Sequence, residues 1–502
     1  MFHSSNAPAN SSWQAFSCRG PRKAAIGKVN ALVLSWLFSI SVSVAQSNVV
    51  FIFVDDFGWG DVNAYRELFG FTPNLDDKDG NSITPNMDAL AAQGTLFTEG
   101  YVASPVCTPS RVGVLTGIEP PRFGLHDFLN SKNANDSRNM NDWLDPHTMT
   151  APRWFQNAGY ATGLFGKWHM GGGRDVNDAP FPQEYGFEES LTSFEGMGDR
   201  ILYLDNGNTH GLSNQNADVP GSIEWVEWEL GADKHTDAAI SFIQNAVSQN
   251  EPFFIFVPHD DTHAPYDTDP GKEEDFDHVA GMANNTTGKL FLSELNELDK
   301  EIGRLVNAID TLGVGGETLI VLVGDNGAPV GGINDTLMRN GDLRGGKKRL
   351  WEGGIREPFL VRMPGTVPAN AVNTTTAVST LDLFPTFCSM AGLPLPDVPF
   401  GGEDMWDVFT GSTRPRVKPL YWEFATNPNI DAAGPKLAMR EGHLKLMMDP
   451  DGTDRYLFDL STNRQEADSG NLINTPSFAD TVNSMEVRLL TWYQEVMFGV
   501  TN

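Results

Sequence analysis

Two unbroken apolar segments that end in polar side chains constrain the fold of this chain most strongly. They are residues 48–54, followed by Asp55 and Asp56, and residues 318–324, followed by Asp325 and Asn326. Continuous runs rich in β-branched residues predict strands that are buried on both faces of a parallel sheet. Ligands of open α/β sheets bind at the carboxyl ends of such strands. The polar residues at both strand ends are therefore candidates for a functional site.

Strand-like and helix-like segments alternate along most of the remaining chain. Further predicted strands lie at residues 160–165 and 252–257, and predicted helices lie at residues 84–94, 233–247 and 289–312. In the first of these helices, Thr84 is the predicted N-cap, Pro85 the first helical residue and Gly94 the C-terminal residue. The alternation predicts a layered α/β domain.

The character of the sequence changes after Pro394. Residues 396–416 are rich in turn residues, with one short helix, and three short strand patterns then precede a helical pattern at 484–497. These patterns predict a small α+β subdomain at the C-terminus. The predicted parts are a leader at residues 1–45, a main domain at 46–415 and the subdomain at 416–502.

The N-terminal residues have the pattern of a secretory leader. Four basic residues precede an apolar stretch at residues 31–44, and Ser43-Val44-Ala45 fits a cleavage site. The apolar stretch is short and contains serine, which argues against a membrane span. A retained anchor or a lipid attachment is the alternative. We predict an exported protein, secreted or periplasmic.

The formal net charge of the chain is −30. Repulsion between negative charges argues against nucleic acid as a partner and against stable association with anionic membranes. An anionic substrate would need local positive charge, which the glycine-flanked segment around Lys347, Lys348 and Arg349 provides. The alternative for such a charged run is a solvated surface.

The pentapeptide Cys107-Thr-Pro-Ser-Arg111 contains one of only three cysteines in the chain. Cys18 would be removed with the leader, which leaves Cys388 as the one possible disulfide partner of Cys107. We predict that Cys107 does not pair and is instead converted into another functional group. A buried thiol before a turn is the alternative.

Basic side chains follow two other predicted strands. Lys167 and His169 are two residues apart, so in an extended chain both side chains would point to the same side. There they could hold an anion and protonate a leaving group, whereas an exposed lysine beside a capping histidine is the alternative. His263 follows the strand at 252–257.

The four polar residues at the ends of the first two strands are hard oxygen donors, the ligands that calcium and magnesium prefer. Each pair alone would suit a turn cap, because Asp and Asn are common where strands end. Two such pairs after two unbroken strands favour a metal site.

In this order, these motifs resemble those of the sulfatase family that carries formylglycine in its active site, within the alkaline-phosphatase-like superfamily. The resemblance covers nearly the whole chain after the leader, and a stretch at 186–200 resembles bacterial carbohydrate sulfatases in particular. The matching motifs are Asp55-Asp56, Cys107-Thr-Pro-Ser-Arg111, Gly166-Lys-Trp-His169, His263-Ala-Pro, Gly324-Asp-Asn-Gly327 and Gly346-Lys347 through Pro358. The resemblance implies a sulfuric ester hydrolase of the arylsulfatase type. It also implies a large mixed, mostly parallel sheet sandwiched by helices, with the small C-terminal α+β subdomain.

The resemblance further implies the chemistry of the site. Cys107 would be oxidised to 3-oxoalanine (formylglycine) by a formylglycine-generating enzyme, and the hydrated aldehyde would be the nucleophile. One divalent cation, calcium in our interpretation, would activate it. The implied ligands are Asp55, Asp56, Asp325, Asn326 and the modified residue 107.

The same resemblance assigns roles to the basic residues. Arg111 would steady the modified residue, and Lys167 and Lys347 would bind the sulfate oxygens. His263 and Lys347 are the candidates for protonating the leaving alcohol. His169 would assist the hydrated aldehyde, although the two histidines could exchange acid and base roles.

The sequence departs from the family pattern in two places. Lys348 and Arg349 replace small residues, which predicts an unusually cationic rim, and residues 258–263 differ from the common form. The predicted substrate is a sulfated small molecule or glycan, in keeping with polysaccharide degradation. Arg200 is either a contact for sugar or sulfate or a surface residue. Two rival functions are a phosphate or phosphonate monoester hydrolase of the same superfamily and an inactive glycan-binding relative.

Overall fold

A computed structural model describes residues 47–171, 178–194, 196–205, 208–209, 220–266, 271–430 and 433–499. The predicted leader at 1–45, with Cys18 and the cleavage site, lies outside these residues. Within them, no helix combines the length and the apolarity that crossing a membrane requires.

The chain alternates between strands and helices as the sequence predicts. The strands are β1 (Asn48–Val54), β2 (Thr95–Phe97), β3 (Gly100–Tyr101), β4 (Ala161–Lys167), β5 (Glu189–Ser193), β6 (Arg200–Asp205), β7 (Asn208–Thr209), β8 (Ile223–Glu227), β9 (Phe253–His259), β10 (Thr318–Gly324), β11 (Phe359–Arg362), β12 (Ala371–Asn373), β13 (Val378–Ser379), β14 (Leu420–Glu423), β15 (Leu437–Glu441), β16 (Leu444–Met448) and β17 (Tyr456–Asp459). The α-helices are α1 (Asn63–Phe69), α2 (Pro85–Ala92), α3 (Cys107–Thr116), α4 (Lys132–Ser137), α5 (Ala151–Asn157), α6 (Gly231–Gln249), α7 (Thr286–Thr311), α8 (Ile333–Thr336), α9 (Glu352–Ile355), α10 (Leu383–Met390), α11 (Trp406–Phe409) and α12 (Ala479–Phe498).

One large sheet organises the main domain. Its strand order is β12-β2-β11-β10-β1-β9-β4-β5-β6-β7, and β8 also pairs with β6. The pairings among β10, β1, β9, β4 and β5 are parallel, whereas β11 runs antiparallel to both β10 and β2. This confirms the predicted large, mixed and mostly parallel sheet. The four strands predicted from apolar runs are β1, β4, β9 and β10.

The register of the central strands determines where the site lies. Val54, the last residue of β1, is level with Gly324 of β10 and with His259 of β9. The residues after these three positions therefore leave the sheet at one edge. All residues of β1 and β10 are buried, so packing on both faces of the sheet stabilises these two central strands.

Helices cover both faces of the sheet, and alternating residues of β1 point into the two cores. Phe51 and Phe53 pack on the face covered by α3, α5 and α10, and Val50 and Ile52 pack on the face covered by α2, α6 and α7. The sandwich that the sequence predicts is thereby confirmed.

Helix α2 begins at Pro85 with Thr84 at the N-cap position, as predicted, but its capping contacts and its C-terminal end differ from the prediction. The Thr84 hydroxyl accepts the backbone N–H of Asn63 (3.0 Å) and donates to the Asp88 carboxylate of α2 (3.3 Å), but it accepts no backbone N–H of its own helix. The helix ends at Ala92, and its C-cap is Gln93 in right-handed conformation, not Gly94. Local pattern therefore found the helix and its first residue, and it missed the capping contact at the N-terminus and the residue at which the helix ends.

The C-terminal part contains a four-stranded antiparallel sheet in the order β14-β15-β16-β17, against which α12 packs through a shared apolar cluster. The sequence predicts three of these strands and the helix, and it misses β15. The small α+β arrangement is confirmed, whereas the exact boundary at 415/416 stays a prediction.

Candidate active site

Acidic side chains converge where β1 and β10 leave the sheet. Carboxylate oxygens of Asp55, Asp56 and Asp325 and the sulfur of Cys107 all lie within 4.8 Å of one another, and all four residues are buried. The backbone N–H of Asp56 donates to the Asp325 carboxylate (3.0 Å), which ties the two strand ends together. The structure thus brings together four of the five residues that the sequence predicts as metal ligands.

Asn326 completes this set from the end of β10. Its side-chain nitrogen donates to Asp56 (2.8 Å) and to the carbonyl of Gly327 (3.1 Å). Its side-chain oxygen is buried and has no hydrogen-bond partner among the described residues. A buried acceptor without a donor beside three carboxylates is the donor set of a hard divalent cation. The residues present therefore fit the predicted metal.

Gly327 lets the chain turn tightly behind this cluster. A Cβ atom at this position would lie 1.9 Å from the carbonyl oxygen of Gly353. No side chain can be accommodated at that distance, so the glycine keeps the strand end and the segment around Gly353 in contact.

Cys107 is the first residue of α3. Its thiol donates to Asp55 (3.3 Å), and the amine of Lys167 approaches its sulfur at 3.7 Å. Burial raises the pKa of the thiol well above its usual range, and the charge of Asp55 adds to this. The thiol is not in a disulfide, and neither is Cys388. The predicted absence of a Cys107–Cys388 bond agrees with the structure.

Arg111 lies one helical turn after Cys107 and is completely buried. Its guanidinium donates to the Asp325 carboxylate (3.0 Å) and to the backbone carbonyl of Lys167 (2.8 Å). The side chain therefore connects α3 to the ends of β4 and β10. The predicted role of Arg111, to steady residue 107, stays a prediction.

Two lysines neutralise the remaining carboxylates. Lys167 is completely buried and forms an ion pair with Asp55, and Lys347 forms one with Asp56 (2.6 Å). Burial alone would lower the pKa of both lysines, but the neighbouring carboxylates raise it above the ordinary value. With Arg111, three cations face three carboxylates, so the cluster of side chains has no formal net charge.

His263 stands on the solvent side of the cluster. Its Nε2 lies 3.8 Å from the Asp56 carboxylate, and 19% of its side chain is exposed. Burial, followed by the charge of Lys347, lowers the pKa of His263 to about 4. Of the basic side chains in the cluster, His263 and Lys347 reach solvent, whereas Lys167 does not.

The prediction of an extended chain from Lys167 to His169 is wrong. Strand β4 ends at Lys167, and His169 has a positive φ of 49°. The turn brings the His169 ring against Phe194 at 4.8 Å between centroids, and its Nε2 lies 3.3 Å from the Leu129 carbonyl. Lys167 and His169 thus reach the same region by a turn and not by strand alternation.

Sequence reasoning missed Phe194 as a member of the site. The amine of Lys167 lies 3.9 Å from the centroid of the Phe194 ring, and His263 packs against the same ring at 5.5 Å. Phe194 directly follows β5 in the parallel part of the sheet. Had β5 been predicted from the sequence, Phe194 would have stood at a strand end, as Asp55 and Asp325 do.

Arg339 was also missed. It is completely buried, forms an ion pair with Asp61 (2.8 Å) and donates to the backbone carbonyl of Asp56. Arg339 therefore holds the segment that follows β1. No local sequence signal singles it out, because Asp61 and Asp56, which it contacts here, are about 280 residues away in the chain.

In the segment at 258–263, where the sequence departs from the family pattern, the side chains of Asp260 and Asp261 are buried. Asp260 accepts hydrogen bonds from Ser193 (2.9 Å) and Tyr203 (3.2 Å). The Thr262 hydroxyl donates to the backbone carbonyl of Asp55. These residues support β1 and β5 from inside the protein.

Arg200 is not the surface residue that one interpretation expected. It is buried, and its guanidinium donates to the carbonyls of Gly198 (2.9 Å) and Pro220 (3.1 Å). The other interpretation, a contact for sugar or sulfate, stays a prediction.

Comparison with known proteins places this geometry in context. A family model described as Sulfatase matches residues 47–393, and one described as N-sulphoglucosamine sulphohydrolase, C-terminal, matches residues 345–495. The N-acetylgalactosamine-6-sulfatase of Sus scrofa is 29% identical over 368 residues, which are 70% of this chain and 63% of that protein. The match thus spans less than two thirds of that relative's length.

Two further similarities cover more of the chain. Human arylsulfatase A is 30% identical over 416 residues, covering 79% of this chain and 74% of that protein. The crystal structure of Ps i-CgsB in complex with k-i-k-neocarrahexaose has a TM-score of 0.69 and 24% identity, covering 89% of this chain and 92% of the other. At that identity the structural likeness concerns the fold.

Proposed function

The chain belongs to the sulfatase family, and from this premise we propose that it hydrolyses sulfate monoesters, with sulfated carbohydrates as its substrate class. One observation carries the proposal: Cys107 lies inside a buried cluster of three carboxylates and three cations at the edge of the sheet. A largely buried cluster of this kind costs stability, which favours a functional role for it.

Residue 107 is the proposed origin of the nucleophile. As a hydrated aldehyde it would supply one hydroxyl to attack sulfur and a second whose deprotonation releases sulfate, which a serine could not do. The contacts of Arg111 with Asp325 and with the Lys167 carbonyl fix the helix that presents residue 107.

Asp55, Asp56, Asp325 and Asn326 would hold the divalent cation, for which calcium is our proposal. When bound, the cation would supply positive charge that favours an ionised oxygen nucleophile and an anionic substrate. The unpartnered side-chain oxygen of Asn326 supports this assignment.

The basic side chains would bind the sulfate group and protonate the leaving alcohol. The Lys167 amine lies 3.7 Å from the Cys107 sulfur, and the Lys347 amine pairs with Asp56 of the same cluster. Both amines would bind sulfate oxygens. His263 and Lys347 border the solvent, where the leaving alcohol must exit, and both remain candidates for the proton donor. His169 would assist the hydrated aldehyde from the turn after β4.

We test this function by comparing the hydrolysis of 4-nitrophenyl sulfate and 4-nitrophenyl phosphate by the mature protein. We expect kcat/KM to be higher for the sulfate. Cys107→Ala should lower it by about 10³-fold or more, since the nucleophile is lost. Cys388→Ala is the matched control, because it removes the other buried thiol, which belongs to α10 and lies in the apolar core, and should retain turnover.

Two results would reject the proposal. A preference for the phosphate would identify a phosphate or phosphonate monoester hydrolase instead. Binding of sulfated oligosaccharides without turnover, in protein whose residue 107 is an aldehyde, would identify a glycan-binding relative.

Export and maturation belong to the same proposal. We propose that residues 1–45 direct secretion or transfer to the periplasm, and that a formylglycine-generating enzyme modifies Cys107. The net charge of −30 argues against nucleic acid and anionic membranes as partners.

A further inference from the structure

Two cations without a counter-charge directly follow Lys347. Lys348 and Arg349 are partly buried, and within the part of the chain that the structure describes neither forms a hydrogen bond or an ion pair through its side chain. Every other lysine and arginine side chain described has a polar partner, as Arg344 has in Asp468 (2.7 Å). In a chain of net charge −30, two adjacent unpaired cations are unexpected.

The two side chains face different surroundings. The Lys348 amine lies 5.4 Å from the ring centroid of Phe128, which in turn neighbours His169 of the active site. Arg349 instead lines a cleft of about 480 Å³ between the loop of Lys347 and the C-terminal sheet. The cleft is lined by Arg344, Gly345, Arg349, Trp351, Ala433, Gly434, Asp454 and Tyr456.

One of the two arginines that line the cleft has no ion-pair partner among the described residues. The lining contains two arginines and one carboxylate, Asp454, which forms no ion pair with Arg349. Arg344 stacks on the Trp351 ring at 3.6 Å and is already bound to Asp468. The guanidinium of Arg349 is therefore the group that is available to a ligand.

The backbone holds Arg349 rigidly beside the active site. The N–H of Lys348 donates to the carbonyl of Pro105 (3.0 Å), two residues before Cys107. A Cβ at Gly354 would lie 2.1 Å from the Arg349 carbonyl, so α9 packs tightly against this residue. Arg349 is two residues from Lys347, which places their Cα atoms at most about 7.6 Å apart.

We propose that this cleft binds a second anionic group of the substrate, carried by a sugar unit next to the one that bears the scissile sulfate, and that Arg349 is its ligand. This inference rests on the proposed function. The guanidinium fork matches two oxygens of a sulfate or of a carboxylate. The preferred substrates are then polyanionic glycans and not glycans with one isolated sulfate.

The test compares inhibition of 4-nitrophenyl sulfate hydrolysis by two pairs of disaccharides. The first pair is a carrageenan-type disaccharide with one or with two sulfates. The second is a sulfated hexosamine linked to a neutral hexose or to a hexuronate. We expect the additional anion to lower the inhibition constant by about tenfold or more in one pair, and that pair identifies the anion as sulfate or carboxylate.

Arg349→Gln should abolish this advantage, and Arg349→Lys should retain part of it. The matched control is Arg488→Gln, which removes the same charge at an exposed site paired with Glu441 and should keep the advantage. Equal inhibition within both pairs for the wild-type protein, or an advantage that survives in Arg349→Gln, would overturn the proposal.

Failure of the proposed function gives a different result. If the wild-type protein hydrolyses no sulfate ester, the same four disaccharides are titrated calorimetrically into the Cys107→Ala variant. A tighter dissociation constant for the additional anion that Arg349→Gln removes would still support the cleft. If the dissociation constants show no such difference, the proposed anion site in the cleft is overturned as well.

Discussion

At the scale of single residues, Cys107 combines contacts that no ordinary buried thiol needs. Its sulfur lies 3.3 Å from an Asp55 oxygen and 3.7 Å from the Lys167 amine. Cys388, by contrast, is buried in the apolar core. Both side chains are free thiols, but only the first has charged neighbours at contact distance that would suit an oxygen-bearing group in its place.

This contrast gives a prediction for the purified protein from its native host. Mass spectrometry of the peptide that contains residue 107 should show a loss of about 18 mass units relative to the thiol, because an aldehyde has replaced the CH₂SH group. The peptide with Cys388 is the internal control and should keep its thiol mass. An unmodified thiol at position 107 in active protein would refute the aldehyde chemistry.

At the scale of secondary structure elements, α7 supplies the cap that α2 lacks. The Asp299 carboxylate accepts the backbone N–H groups of Asn86 (3.0 Å) and Met87 (2.8 Å) and the side-chain amide of Asn86 (2.8 Å). A carboxylate at a helix N-terminus satisfies free donors and is favoured by the helix dipole. The cap thus joins two helices that are more than 200 residues apart in the chain.

This cap should make stability depend on pH. Burial raises the pKa of Asp299 to about 6 although the N–H groups of Asn86 and Met87 oppose the rise. A carboxyl with a folded-state pKa above its unfolded value of about 3.9 binds more protons when folded, so its contribution to stability falls as the pH rises from about 4 to about 6. The change amounts to about 3 kcal/mol at most.

The Asp299→Asn variant removes this titration and keeps an oxygen acceptor. We expect its free energy of unfolding to improve relative to wild type as the pH rises from 4 to 7, measured by urea denaturation. Asp310→Asn, the same change in α7 at a carboxyl that is 42% exposed, controls for the substitution itself. A difference between wild type and Asp299→Asn that is constant with pH would contradict the prediction.

These elements show which parts of the fold are predictable from sequence. Strands β1 and β10 are continuous apolar runs buried on both faces, so the pattern alone determines their nature. Strand β15 was missed because its sequence Leu-Ala-Met-Arg-Glu lacks β-branched residues and alternation. The N-terminal capping contact of α2 was missed because its partner, Asp299, comes from a distant element.

The same distinction applies to the site. The ends of parallel strands meet at one edge, so Asp55 and Asp325 could be brought together from pattern alone. The left-handed conformation of His169 depends on tertiary contacts that no local pattern encodes, and so does the fact that Arg349 has no side-chain partner among the described residues. The roles of the predicted site residues stay predictions that the experiments above decide.

At the scale of the whole molecule, a buried ionic network joins the C-terminal sheet to the loop of Lys347. The amine of Lys445, on β16, lies 2.9 Å from Glu352 of α9 and 2.9 Å from Glu466. Glu352 also accepts the Tyr101 hydroxyl (2.6 Å). All three charged side chains are completely buried. The segment of Lys347 therefore depends on the C-terminal sheet for its position.

Lys445→Met should accordingly destabilise the protein and impair catalysis together. Removing the central cation leaves the buried Glu466 carboxylate uncompensated and Glu352 with Arg356 as its remaining ion-pair partner, which costs about 3–5 kcal/mol in the free energy of unfolding. Because α9 follows the loop of Lys347, we also expect kcat for 4-nitrophenyl sulfate to fall under conditions where the variant is fully folded. Urea denaturation and steady-state kinetics measure the two effects.

The matched control is Lys436→Met, which breaks a partly exposed pair with Asp449 near the same sheet and should cost about 1 kcal/mol or less. The double variant Lys445→Met, Glu466→Gln should recover part of the lost stability, because it removes the charge of Glu466 that Lys445→Met leaves uncompensated. Burial raises the pKa of Glu466 to about 7, so this carboxyl is the one that a neutral amide replaces with the least loss. If Lys445→Met were no more harmful than Lys436→Met, the network would not support the active-site loop, and the C-terminal sheet would be a separate addition to the fold.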